Sequence, residues 1–408
     1  MKYRMKIIVS VFSLPIIVML FINALQSKQP EDIESRVRDF DYSSLPVAAA
    51  EKMRRNANKT TLPLTLHAGA PTQQLHDSLL VADMHCDLLL WNSDFNNGSS
   101  AGHVDLPKLL KGRFLIETFS VATTLPAHFD PKNSDRFPEY ARRQGWPQWA
   151  YADPFNRALF MAGHLKYMAS HSGGKFRIIY NSSDLKELVR LCRAGKEIVG
   201  ALLSMEGAYP IGNDLSRIDL LYRTGFRMIS PAHFYDSTLS GSTHTGSRKG
   251  LSALGIKALE AMERLGMIID CSHLSPEAVD DLLRYATRPV VASHTGVRAL
   301  KNIPRNLSDS QIRSITSKGG IIGAGFWPEA AGGNDLQAIV RTIRHIVTIG
   351  GVEHVALGTD FDGMVSVPVD ASGMALLTEA LMKDGFSDTE IRLIMGENLV
   401  RFYRDQLR

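Results

Sequence analysis

Seven ionisable side chains stand at or just past the ends of short apolar runs: His85, Asp87, Glu206, His233, His273, His294 and Asp360. Taken singly, a histidine or carboxylate in such a place is usually a satisfied core or surface residue. Seven together are harder to explain by packing, because desolvated carboxylates and imidazoles without partners strongly destabilise a fold. Imidazole and carboxylate are ligands of divalent zinc, and the set exceeds what one tetrahedral ion would use. The economical arrangement is a two-metal centre, with His85, Asp87 and Glu206 on one ion and His273, His294 and the other Glu206 oxygen on the second. Such a centre would activate water for attack on a carbonyl or phosphoryl group. Asp360 would then be free to move protons, and His233 to stabilise developing oxyanion charge.

These residues need a scaffold that gathers strand ends. Residues 266–296 read as one βαβ unit: two apolar runs, each closing on a histidine, flank an amphipathic stretch at 275–285 with Pro276 suited to a first helical turn. The same pattern recurs along the chain. Strands are expected at 79–87, 115–123, 198–205, 226–231, 320–326 and 354–359 besides that pair, with helices at 73–78, 182–193, 251–265, 308–318, 334–349 and 387–406. Period-two alternation sends His85 and Asp87 to the same side of the first strand. Eight strands alternating with helices predict an α/β fold, a (β/α)8 TIM-type barrel whose active face lies at the carboxyl ends of the strands. A long insertion at 124–196, carrying Tyr140, Trp146, Trp149, Tyr151 and Phe155, separates strands two and three. Such an excursion covers a barrel mouth or builds an oligomer surface, so a homodimer is within the expectation.

At 408 residues the chain suits one such barrel with additions, and a dispersed net charge of +4 argues against nucleic acid as a partner. Three cysteines, Cys86, Cys192 and Cys271, cannot form a disulfide framework. Lys2, Arg4 and Lys6 precede an uncharged apolar run at 7–25 that is long enough to span a bilayer. The charge bias places the amino terminus in the cytoplasm and the remainder outside, in a periplasm or at a cell surface. Cleavage of the run would instead release a secreted protein. The expected organisation is a transmembrane signal anchor at 1–25, a polar linker and docking segment at 26–70, and the metallohydrolase barrel at 71–408.

The stretches bearing these residues also carry a resemblance. They are Val-Ala-Asp-Met-His-Cys-Asp at 81–87, Ser-Met-Glu-Gly-Ala at 204–208, Pro-Ala-His-Phe at 231–234, Gly-Met-Ile-Ile-Asp-Cys-Ser-His at 266–273, Val-Ala-Ser-His-Thr-Gly at 291–296, Ile-Pro-Arg-Asn-Leu at 303–307 and Gly-Thr-Asp-Phe-Asp-Gly at 358–363. In order and spacing they resemble the membrane dipeptidase (renal dipeptidase) family, binuclear zinc peptidases of the amidohydrolase superfamily, over residues 74–405. The resemblance implies hydrolysis of dipeptides, including those with a carboxyl-terminal D- or dehydro-amino acid. It implies two Zn2+ per chain on the ligands given above, and it assigns Arg305, with His233, to substrate binding. The planar fork of Arg305 suits a terminal carboxylate. Two features depart from the family pattern: Cys86 stands where many relatives have Asn, and the insertion around Trp146 and Trp149 fits poorly. The chain has no hydrophobic carboxyl-terminal tail, which argues against the GPI anchor of animal relatives.

Two other readings compete. Lactonases and phosphotriesterase-like amidohydrolases, which include amide hydrolases, usually carry His-x-His on strand one and a bridging carbamylated lysine. Here strand one has His-x-Asp, and Glu206 offers itself as the bridge. A membrane-tethered binding protein that has lost catalysis would be expected to lack a ligand or the proton-transfer acid, and none is missing.

Overall fold

Eight short apolar runs form a closed parallel barrel: β1 Val81–Cys86, β2 Phe114–Ala122, β3 Val199–Glu206, β4 Phe226–Ser230, β5 Ile268–Asp270, β6 Val290–Thr295, β7 Ile322–Gly325 and β8 Val355–Gly358. Each strand pairs with the next, and β8 pairs back onto β1 through Leu357 and Asp83. The computed structural model describes residues 30–408 apart from Leu64, Pro131 and Asn133. The expected transmembrane segment at 1–25 lies outside the described residues, among which no helix is long and apolar enough to cross a membrane. The chain divides into two units, Met1–Asp41 and Tyr42–Arg408. The described part of the first contains one helix, Pro30–Asp39.

Strand alternation separates core from chemistry. Ala82 and Met84 of β1 join Leu115, Leu202, Met228, Ile268, Val291 and Ala356 in a core shared with Leu399 and Phe402 of the last helix, leaving Asp83 and His85 to the opposite face. Helices start where the sequence offers caps. Asn181 and Ser308 form capping boxes, and Ser252, Ser275 and Asp335 each accept from a first-turn amide; each such cap contributes about 1 kcal/mol.

Three regions depart from the expected outline. The 387–406 helix is interrupted by a π-turn at Leu393–Glu397. There Gly396 passes so close to β1 that a Cβ would lie 1.8 Å from the Leu80 carbonyl oxygen. The insertion adds a short strand, Phe176–Ile178, that pairs with the start of β3. Several of its aromatic residues turn inward, while Trp149 and Tyr151 stay half-buried. Tyr140, Trp146 and Phe155 are buried, and Trp146 packs on Phe160 and Phe137 with its Nε1 donating to Asn92 Oδ1. Within 26–70, residues Val47–Ala57 form a helix and Lys59–Thr60 pair in parallel with Ser366–Val367.

Candidate metal centre and active site

All seven strand-end residues meet at one end of the barrel. His85 ends β1, Glu206 ends β3 and His294 lies at the end of β6, while His233, His273 and Asp360 follow β4, β5 and β8. Glu206 Oε1 lies 2.8 Å from His273 Nε2, 3.2 Å from His294 Nε2 and 3.6 Å from His85 Nε2, while Oε2 lies 3.4 Å from His233 Nε2. His85 Nε2 is also 3.4 Å from Asp87 Oδ2 and 4.0 Å from Asp360 Oδ1. Three overlapping groups result that could each hold a cation: His85, Glu206 and His294; Glu206, His233 and His273; His85, Asp87 and Asp360.

Buried aspartates stitch the ligand-bearing strands together. Asp270 on β5 accepts from Ser272 N, Ser293 N and Ser293 Oγ, the last at 2.5 Å. Because that hydroxyl proton is given to Asp270, Ser293 Oγ must accept from His294 Nδ1, 2.8 Å away. His294 therefore turns a bare Nε2 toward Glu206, the tautomer a ligand needs. On the other side, Asp83 accepts from Thr359 N and Oγ1 at 2.9 and 2.6 Å, joining β1 to β8 beneath His85 and Asp360. His244, from the loop after β4, places its Nε2 2.8 Å from His273 Nδ1. A His273 that ligates through Nε2 donates its Nδ1 proton to that atom.

Asp83, Asp270, Ser293 and His244 escaped the sequence reading. The two aspartates left a signal, a carboxylate inside an apolar strand, which is costly unless satisfied. His244 left none beyond its polar loop.

The electrostatics suit a cation. Burial, followed by the Arg305 charge and neighbouring imidazoles, holds His273 well below the usual histidine range; His294 is held there by burial, then His85 and Arg305. Both are thus neutral, as ligands must be. Burial pushes Glu206 well up, and a divalent ion would reverse that. Burial works against a charged His85, but the Glu206 and Asp87 carboxylates outweigh it and carry it up to about 10. His85 Nε2 and Asp87 Oδ1 are buried without any hydrogen-bond partner. Unpartnered buried ligand atoms on two residues of one such group are what a metal ion would satisfy, so the residues fit one.

A cavity of about 650 Å³ opens over this cluster, lined by Asp87, Glu206, His233, His273 and Asp360 on the polar side and by Leu90, Leu125, Phe234 and Trp327 among its apolar walls. Arg305 also lines it. One guanidinium nitrogen donates to the His294 carbonyl at 2.8 Å, and the group lies 5.5 Å from the Trp327 ring centroid.

The sequence model of the membrane dipeptidase family (peptidase family M19) matches residues 70–407. The chain belongs to this family. As a family member it is a hydrolase that acts on dipeptides. It is 29% identical over 314 residues to the dipeptidase tcpJ of Claviceps purpurea, covering 75% of this chain and 69% of that protein. An uncharacterized protein from the pqqA 5′ region of Klebsiella pneumoniae is 32% identical over 271 residues, 62% of this chain and 97% of that one. Among solved structures, a metallopeptidase from Rhodobacter sphaeroides, liganded with a phosphinate mimic of the dipeptide L-Ala-D-Ala, superposes with a TM-score of 0.68 at 26% identity. That comparison covers 81% of this chain and 99% of the other.

Proposed function

We propose that this dipeptidase works with two zinc ions, held by His85, Asp87 and Glu206 on one side and by His273, His294 and Glu206 on the other. The observation that carries the reading is Glu206, whose two oxygens face imidazoles from four different strand ends. The mixture of imidazole and carboxylate is a ligand set that zinc accepts. When bound, such a pair supplies Lewis acidity and an activated water.

The remaining roles fall to the chain. Arg305, fixed through one nitrogen on the His294 carbonyl, offers its free edge to the substrate's terminal carboxylate. His233, which burial and then the charge of neighbouring basic groups hold well below the usual histidine range, is a neutral imidazole at the cavity wall. It can donate one N–H to the oxygen that gains charge. Asp360, whose Oδ1 lies 4.0 Å from His85 Nε2 at the cavity wall, is placed to take a proton from the attacking water and pass it to the leaving amine. The likeness to the Rhodobacter enzyme with its L-Ala-D-Ala mimic supports acceptance of a carboxyl-terminal D-residue.

The test uses a panel of free and carboxyl-amidated dipeptides, with L- or D-residues at the second position. The wild type should hydrolyse free dipeptides of both kinds and discriminate against the amides. Arg305→Ala should lose roughly a hundredfold in kcat/KM on the free peptides and much of that discrimination. Equal hydrolysis of amidated and free dipeptides by the wild type would show that Arg305 has another role.

A further inference from the structure

Residues 54–61 precede the stretch that matches the family, yet they are built into the mouth of the barrel. Arg54 is 0% exposed. Its guanidinium grips the Asp362 carboxylate, with Nε 3.1 Å from Oδ1 and Nη2 2.7 Å from Oδ2. Nη2 also donates to the Val104 carbonyl, and Nη1 lies 3.3 Å from Glu51 Oε1. Asp362 accepts in addition from the backbone amides of His103 and Val104 at 2.9 and 3.2 Å. The packing leaves no room for a side chain at Gly102, where a Cβ would lie 2.1 Å from Arg54 Nε.

The hold continues along the loop. Asn58 Oδ1 accepts from Met364 N at 2.8 Å, and Lys59 and Thr60 run in register with Ser366 and Val367. This loop needs holding. Asp360, Asp362 and Met364 all adopt left-handed backbone, with φ of 59, 62 and 61°, a region that residues with a Cβ avoid and that persists where surroundings enforce it. The same loop supplies Asp360, Gly363, Met364, Val365 and Ser366 to the cavity wall.

We infer that Arg54, acting through Asp362, is the positioning residue for Asp360, and that the segment upstream of the barrel clamps the loop after β8 in its working shape. A planar fork held on both carboxylate oxygens fixes orientation as well as distance, which a lysine ammonium cannot do. The inference rests on the proton-transfer role proposed above for Asp360.

The experiment compares the full-length wild type with Asp360→Asn, Arg54→Lys and the double variant Arg54→Met/Asp362→Asn. The double variant removes both buried charges together, so neither is left unpaired, and its asparagine keeps an oxygen for one of the two backbone amides, which bond different carboxylate oxygens. Should Arg54→Lys fail to fold, the double variant carries the test. Metal content, Tm, kcat and KM on a dipeptide are measured for each. The folded Arg54 variants should keep wild-type metal content and KM while kcat falls roughly tenfold to a hundredfold, the effect of a small misplacement of a reacting group. If Asp360→Asn retains wild-type kcat, the role given to Asp360 fails, and this inference with it. If Asp360→Asn loses turnover while folded, metal-loaded Arg54 variants keep theirs, the clamp alone is overturned. A fall in kcat matched by an equal fall in metal content would also overturn it, because Arg54 would then be supporting the fold rather than Asp360.

Discussion

Glu206 meets His85, His273 and His294 through one oxygen and His233 through the other, so the whole cluster depends on how its imidazoles are turned. His294 is turned by Ser293 and Asp270, and His273 by His244. An imidazole is an unusual partner there, because carboxylates and carbonyls commonly fill that place. His244→Phe should keep the fold and lower zinc affinity roughly tenfold to a hundredfold, measured by competition with a chelator of known affinity; an unchanged affinity would mean that His273 needs no such partner. The clustered residues were legible in the sequence because each closes an apolar run, where an unsatisfied charge is costly. His244 and Arg54 were not, since each acts through a loop whose path only tertiary packing decides.

The eight strands were legible as short apolar runs between capped amphipathic helices, and the 182–193 helix matches its expected bounds. The strand Phe176–Ile178 was missed because three residues carry no periodicity. The inward packing of part of the insertion was not legible, because prolines and charges around its aromatics hid a buried cluster of Tyr140, Trp146 and Phe155. Its long helix, Pro154–Ser170, buries His164, which stacks on Tyr42 at 5.3 Å between ring centroids. Burial lowers His164 to about 4. As pH falls below the ordinary histidine value, the unfolded chain takes up a proton that the folded one refuses, so acidification favours unfolding. Stability should therefore decline between pH 6.5 and 4, by roughly 3 kcal/mol from this residue at the lower limit. His164→Phe, which retains a stacked ring, should show a smaller fall in Tm over that interval; equal falls in both proteins would contradict the assignment.

For the whole molecule, the apolar run at 7–25 and the basic residues before it lead us to propose a membrane-tethered enzyme with its barrel on the outer side. The protein should stay with membranes at high salt, and added protease should reach residues beyond 42 in spheroplasts without lysis. Recovery of a soluble form lacking the first 25 or so residues would point to cleavage instead. In the proposed centre a single carboxylate, Glu206, serves two metal ions. Elemental analysis of the purified protein under saturating zinc tests it most directly. Two ions per chain are expected for the wild type, with both sites depleted in Glu206→Gln; a wild type that saturates at one ion would contradict the shared-carboxylate centre.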